Sequence, residues 1–589
     1  MEDRPMAVRI LLACFALLAA ACASNGDYDP AALVAQVRAA DPSAKGASNE
    51  TARSTSSAPK PSHHRGPAVH VDDSGPARFT RLLHTAFDSQ RAMESVRFID
   101  GHYRAPANDG YEAVLAHLEA QLREAGFGGA DARLQLDVLA TDQPVSAWTP
   151  RSGSLHLLIE GAEPRALHVF AQAGDRDRVL LPVNTPSCAI DGPVALSLDE
   201  LAEGEILVTQ APSRQVKARA YQRGAAAVVS ASLESFNVDP SGRDRHLDAI
   251  QYRVQPEKEL LPIFQISQRS YAAIAAAVEG GAQARLALRA EVELAQRPLR
   301  TLVATIVGAK QPDEAVVTVS HVQEPGACDN ASGVAGLLES ARSLAGLLKS
   351  GRMAWPERSL VFLWGDEFRQ SRAWLDSGQR RAIAGLSSDM TGQSREQTGA
   401  ILLLERMPDP GALVPLDPDA HTPWGKGEVR AEDIQPSGLA VIARCAIVDV
   451  GGLEGDWHTA DHPWEGGSDH DVFIERGLPA ALFWHFTDFA YHTSLDRLEH
   501  VDAGELKRTA IALSATALAV ADPRSTDLDR YVRSLRLEEN LRVKAAEQAE
   551  QPELAQAWRE WCVGARHWLR ALCLDLEPKR TAEASDPAK

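Results

Sequence analysis

Val317 to Leu348 reads VTVSHVQEPGACDNASGVAGLLESARSLAGLL, and the reading of this stretch decides the fold. An apolar, β-branched run ends at Ser320 and His321, and Asp329 follows eight positions later beside Asn-Ala-Ser-Gly. Apolar residues then recur at spacings of three and four along a long helix. A strand, a polar loop and a helix in that order are the repeating unit of a parallel α/β sheet. In such sheets, ligands gather outside the carboxyl ends of the strands.

The pattern continues downstream. LVATIVG (302–308), SLVFLWG (359–365), GLSSDM (385–390) and PAALFWHF (479–486) are short apolar runs separated by amphipathic segments, and ELKRTAIALSATALAVA (505–521) is a closing helix. This predicts an α/β fold with a mostly parallel central sheet flanked by helices, built from residues 78–160 and 291–526. In the first part, YEAVLAHLEAQLREAGFGG spaces Val114, Leu115, Leu118 and Leu122 as a helix with a glycine stop. Between the two parts, residues 161–290 alternate short strands with helices as a self-contained α+β insert. Residues 527–589 are charged, with Leu, Trp and Val at helical spacing, and form a helical appendage that either packs on the core or binds a partner.

The chain has 589 residues, 44% of them hydrophobic, enough for more than one core. Its formal charge of −19, without a long Lys/Arg run, excludes a phosphate-backbone binder, so no nucleic acid is expected. Ile10 to Ala21 (ILLACFALLAAA), preceded by Arg4 and Arg9, is too short to span a bilayer and fits a secretory h-region. It ends in AAAC, which resembles a bacterial lipoprotein site with Cys22 lipidated; cleavage by ordinary signal peptidase is the alternative. On this reading residues 1–22 are a signal peptide and 23–77, rich in Ala, Ser and Pro, a disordered tether. The expectation is an exported protein, anchored to a bacterial membrane and facing the periplasm or cell exterior. Cys188, Cys328, Cys445, Cys562 and Cys573 form no metal-type CxxC pair. Cys562 and Cys573 are left open between a disulfide and buried thiols.

Polar groups sit at four predicted strand ends: Ser320-His321, Asp366-Glu367, Asp389 and Tyr491-His492, with Asp329 opening the next helix. Two histidines with three or four carboxylates suit a borderline cation such as Zn²⁺, and a shared carboxylate can clamp two ions. Asp329 is the natural bridge. So many acids are costly to bury without cations. Ser468-Asp469-His470 reads as loop structure near the pocket, and His458 and His462 as residues of a Trp- and Gly-rich loop that either lines the pocket or is solvated.

The blocks HVQEPGACDNASGVAGLLESAR, LVFLWGDEF, SSDMTG, GGSDHDVFIERGLPA and YHTSLDRLE resemble the M28 family of co-catalytic zinc exopeptidases. The insert's GEILVTQAP, KARAYQRGAAAVV and LPIFQIS resemble a protease-associated (PA) domain, which in such families caps the active site. The resemblance implies two Zn²⁺ per chain, one held by His321, Asp329 and Asp389 and the other by Asp329, Glu367 and His492. It places Asp366 as general base and leaves Tyr491 between oxyanion donor and ring packing. The implied activity is hydrolysis of N-terminal residues from peptides. Two departures stand out. Gln323 replaces the aspartate of the family's His-x-Asp, and Asp366 replaces its glutamate, one methylene longer. The other readings kept open are a catalytically impaired metal-binding surface protein and a single-zinc glutaminyl-cyclase-like acyltransferase.

Overall fold

The computed structural model describes residues 73–574 except Glu259, Lys426 and Asp456. The expected signal peptide with Cys22, nearly all of the expected tether and the polar tail after Leu574 lie outside the described residues. No described helix is long and apolar enough to cross a membrane.

Two sheets organise the chain. The strands, in order, are β1 (Leu134–Ala140), β2 (Val145–Ile159), β3 (Arg165–Phe170), β4 (Cys188–Ala195), β5 (Ile206–Thr209), β6 (Ala227–Ser230), β7 (Ile263–Gln265), β8 (Ala284–Arg297), β9 (Arg300–Ile306), β10 (Gln311–His321), β11 (Arg358–Gly365), β12 (Arg381–Ser388), β13 (Ile401–Arg406), β14 (Thr459–His462) and β15 (Ala480–Phe486). The first sheet runs β1-β9-β11-β10-β12-β15-β13-β14, and four of its seven neighbouring pairs are parallel. The parallel strands β11-β10-β12-β15 lie side by side at its centre, so their carboxyl ends share one rim. Along β10 and β11, side chains alternate between two cores. Val316, Leu360, Phe362 and Trp364 enter the larger core, whereas Val317, Val319, Val361 and Leu363 face Trp374 and Phe473 on the other side.

The helix Ala331–Lys349 begins where Asn330 Oδ1 accepts the Gly333 N–H at 3.1 Å. Gly333 permits that start to press against the rim. A Cβ there would lie 2.4 Å from the Ser388 carbonyl and 2.8 Å from Ser320 Oγ. The C-terminal helices Leu528–Gln548 and Pro552–Leu574 join the main core through Tyr531, Leu535, Trp558 and Trp561. Arg406, 1% exposed in its side chain, pairs with Asp409 and Asp419, and Asp419 also pairs with Arg542 of this appendage. Among the described residues every cysteine is a free thiol. Cys562 and Cys573 stand on one continuous helix, about 16 Å of rise apart, beyond disulfide reach.

The second sheet, β3-β2-β8-β4-β5-β6-β7, spans Val145 to Arg297 and is wider than the expected 161–290. β2 pairs with β8 from Val145↔Arg297 to Ile159↔Ala284, so both ends of the inserted chain form one antiparallel ribbon. A register shift between Pro150 and Ser152 interrupts the alternation that would have marked β2 in the sequence.

Candidate metal centre

The topology brings the strand ends together. β10 is in register with β11 up to His321↔Gly365 and with β12 up to Val319↔Ser387. His321 therefore closes β10, Asp366-Glu367 follows β11, and Asp389 follows β12, all on one rim. β15, parallel to β12, ends at Phe486, and a short loop returns Tyr491 and His492 to the same place.

His321, Asp329, Glu367, Asp389, Tyr491 and His492 line one cleft of about 460 Å³. His321 Nε2 lies 3.1 Å from Asp389 Oδ1 and 3.6 Å from Asp329 Oδ1, and His492 Nε2 lies 3.0 Å from Asp329 Oδ2. Asp329 thus offers one oxygen to each histidine, as a bridging carboxylate requires. The potential ligand atoms of His321, Glu367 and Asp389 lie within 4.8 Å of one another. Two ligands on a tetrahedral ion with bonds of about 2.0–2.2 Å stand about 3.4 Å apart. The observed spacings match that scale.

The electrostatics point the same way. Burial, reinforced by Glu324 and Asp389, pushes Glu367 well above the usual carboxylate range, and burial with Glu324 does the same to Asp329. Burial opposes charge on His321 and His492, yet the surrounding carboxylates lift both well above the ordinary imidazole value. Asp389 Oδ1 is buried without an aligned hydrogen bond. Such a set is satisfied by cations better than by protons, and its nitrogen and carboxylate donors are those Zn²⁺ takes.

Asp366 stands apart. Adjacent to Glu367 and 6% exposed, it does not line the cleft, and its Oδ2 faces Arg369 Nε at 3.4 Å. Burial pushes it up to about 6. Gln323 partly fills the role of the aspartate it replaces: its main-chain oxygen lies 3.1 Å from His321 Nδ1, and its side-chain Oε1 accepts the Glu367 N–H at 2.8 Å.

Three features were not visible in the sequence. Glu324, on the short loop between His321 and Asp329, turns into the cleft with Oε2 3.1 Å from His492 Nε2. Its backbone φ of 81° places it there. Asp496, within the block YHTSLDRLE, accepts the main-chain N–H groups of Cys328 and Asp329 at 2.6 and 2.9 Å and so sets the Asp329 loop. The insert also holds the site. The Tyr252 N–H and Gln251 Nε2 donate to the His492 carbonyl at 2.7 and 2.8 Å, and Asn237 Nδ2 donates to that of Tyr491 at 2.8 Å. These bonds clamp His492 at φ 53°, a left-handed conformation unusual for a side-chain-bearing residue. Of the loop residues, Asp469 accepts the Phe368 N–H, Ser371 Oγ and Gln370 Nε2, while Ser468 Oγ donates to Asp389 Oδ2 at 2.8 Å. His462, read as pocket-lining or solvated, is instead buried.

No curated protein matches the chain. Among solved structures, the fold is similar to a zinc aminopeptidase from Bacillus subtilis at 16% identity, covering 74% of this chain and 97% of that one with a TM-score of 0.50. It is equally similar to a Peptidase M28 precursor from Shewanella amazonensis SB2B, at 16% identity, 75% and 95% coverage and a TM-score of 0.50. The sequence matches Peptidase family M28 over residues 301–405 and 445–517, which hold His321, Asp329, Glu367, Asp389 and His492. The two matched segments contain β10, β11, β12 and β15, whose carboxyl ends carry the rim.

Proposed function

We propose that the chain is a metallo-exopeptidase that removes N-terminal residues from peptides with two Zn²⁺ in the cleft. The observation that carries this reading is the position of Asp329, one carboxylate oxygen near each of two histidines. His321, Asp329 and Asp389 would hold one ion, and Asp329, Glu367 and His492 the other. Bound there, the pair supplies Lewis-acid polarisation of the scissile carbonyl and acidification of a water.

The chain's own groups do the rest. Asp366, with its raised proton affinity, takes a proton from the attacking water and returns it to the leaving amine. A second reading gives this role to Glu324, favoured by its place on the cleft wall. Tyr491, stacked on His492 with ring centroids 3.9 Å apart and kept protonated by burial, donates its O–H to the oxyanion. The insert shapes access through Arg214, Phe236 and Arg253, which line the cleft. Export and lipid attachment at Cys22 belong to this reading on sequence grounds alone.

The test combines chelation and zinc rescue on free and N-blocked peptides with metal counting. Asp329→Ala should lose metal from both positions. Asp366→Asn should keep metal and lose turnover; unchanged hydrolysis in that variant, with loss in Glu324→Gln at full zinc occupancy, transfers the base to Glu324. Cleavage of N-blocked peptides as fast as free ones would refute the exopeptidase assignment.

A further inference from the structure

A second polar cluster lies outside the cleft. Glu405 is the penultimate residue of β13, His462 ends β14, which runs parallel to it, and Glu465 follows three residues later. All three are at most 2% exposed, and one potential ligand atom from each lies within 4.8 Å of the others. His462 Nδ1 stands 3.4 Å from Glu405 Oε2, and its Nε2 stands 3.5 Å from Glu465 Oε1. Neither ring nitrogen makes an aligned hydrogen bond, and neither does Glu405 Oε2. Buried groups of this kind find partners in nearly all folded proteins, so an unpartnered His462 Nδ1 facing an unpartnered Glu405 Oε2, with Glu465 in the same cluster, indicates a missing ligand.

The surroundings hold the carboxylates in place. Glu405 Oε1 accepts the main-chain N–H groups of Glu465 and Gly466 at 3.0 and 2.8 Å and lies 3.0 Å from His470 Nε2, which leaves Oε2 available. Glu465 accepts the Thr422 N–H at 2.6 Å and its hydroxyl at 2.7 Å. Ligands braced by such outer donors are the pattern of a built metal site.

We infer that Glu405, His462 and Glu465 bind one further divalent cation, of the zinc class, separate from any ions in the cleft. One imidazole and two carboxylates suit Zn²⁺, and three elements joined at one buried point suit a structural role. The consequence reaches the cleft. The cation fixes the loop after β14, in which Gly467 lines the cleft beside Trp424 and Ser468 donates to Asp389. The competing occupant is a proton, with a doubly protonated His462 bridging the two glutamates.

The full chain decides this by elemental analysis after exhaustive dialysis against zinc-free buffer, with Co²⁺ substitution as a spectroscopic check. His462→Gln and Glu465→Gln should each hold one zinc fewer than the parent, whatever the parent's total. Independently, a His321→Gln/Asp329→Asn variant, whose cleft set is dismantled, should retain one zinc and, after exchange, one Co²⁺ absorption band. This arm needs neither substitution in the new cluster nor a correct count for the cleft. Equal metal content in parent and His462→Gln, or none in the cleft variant, overturns the inference and leaves His462 to a proton. A parent that holds two zinc ions, both lost in the cleft variant, would defeat this site without touching the peptidase reading.

Discussion

Asp469 offers the sharpest test of how the cleft rim is held. Its Oδ1 accepts the Phe368 N–H at 3.0 Å and the Ser371 hydroxyl at 2.7 Å, and its Oδ2 accepts Gln370 Nε2 at 2.7 Å. Together these bonds fix the turn after β11, where Glu367 meets Phe368 at φ 58°. Asp469→Ala removes all three. Hydrogen bonds to a charged acceptor contribute about 1.5–3 kcal/mol each, so the gross loss is roughly 4–9 kcal/mol. Burial, the largest influence on Asp469, raises its proton affinity, so removing the charge returns part of that loss. The net destabilisation should be about 3–5 kcal/mol. Asp469→Asn should behave differently. Its oxygen can keep the Phe368 and Ser371 bonds, and its new N–H₂ would face Gln370, whose Oε1 makes no hydrogen bond in the native structure. Rotating the Gln370 amide supplies the acceptor, so the cost should stay near about 1 kcal/mol. The assay is urea unfolding followed by tryptophan fluorescence, with zinc content measured on the same samples. Alanine and asparagine variants of equal stability, or an alanine variant within about 1 kcal/mol of the parent, would refute the argument.

Glu324→Gln should keep the fold but weaken zinc retention by roughly tenfold, since it removes one charge 3.1 Å from His492 Nε2; competition with a chelator reads this out, and unchanged retention rejects the role. Gln251→Ala removes one of two donors to the His492 carbonyl and should lower zinc affinity by a similar factor without altering peptide discrimination, checked by the same competition. Glu505 tests the pH behaviour. Burial raises its pKa, but bonds with His485 and Trp457 and the charge of Arg508 override that and hold it down to about 2. A depressed carboxylate stabilises the fold above its unfolded value and loses that contribution as pH falls through the folded one. The parent should therefore exceed Glu505→Gln by about 3 kcal/mol at pH 6, and the gap should close between about pH 4.5 and 2. A gap that widens on acidification would contradict the assignment.

Much of this was legible because it rests on local rules. The β-branched run before His321 and the Asn330 cap of the next helix each have a short-range signature, and a parallel sheet forces such strand ends onto one rim. What escaped depends on long-range register or on loop conformation. β2 hid its sheet because its pairing with β8 is broken by a shift beside Pro150. Glu324 could not be placed because its direction follows from a left-handed backbone in a loop too short to show periodicity. Asp496 reads as an ordinary acid, and only the main-chain donors around it reveal its work. Glu405, His462 and Glu465 come from separate elements that no spacing rule connects.

The clamp on His492 links the insert to the chemistry more closely than a cap would. A residue held at φ 53° relaxes if its carbonyl is released, because the left-handed region costs a side-chain-bearing residue about 1–2 kcal/mol. Among the described residues that carbonyl is held only from the insert, by Tyr252 N–H and Gln251 Nε2, and the neighbouring Tyr491 carbonyl by Asn237. Metal bound by His492 would stabilise the same backbone from the opposite side. Linkage then requires reciprocity: whatever seats the insert tightens metal binding, and metal binding seats the insert by an equal free energy. The second sheet is therefore part of the site's thermodynamics, although the M28-matched segments contain none of it.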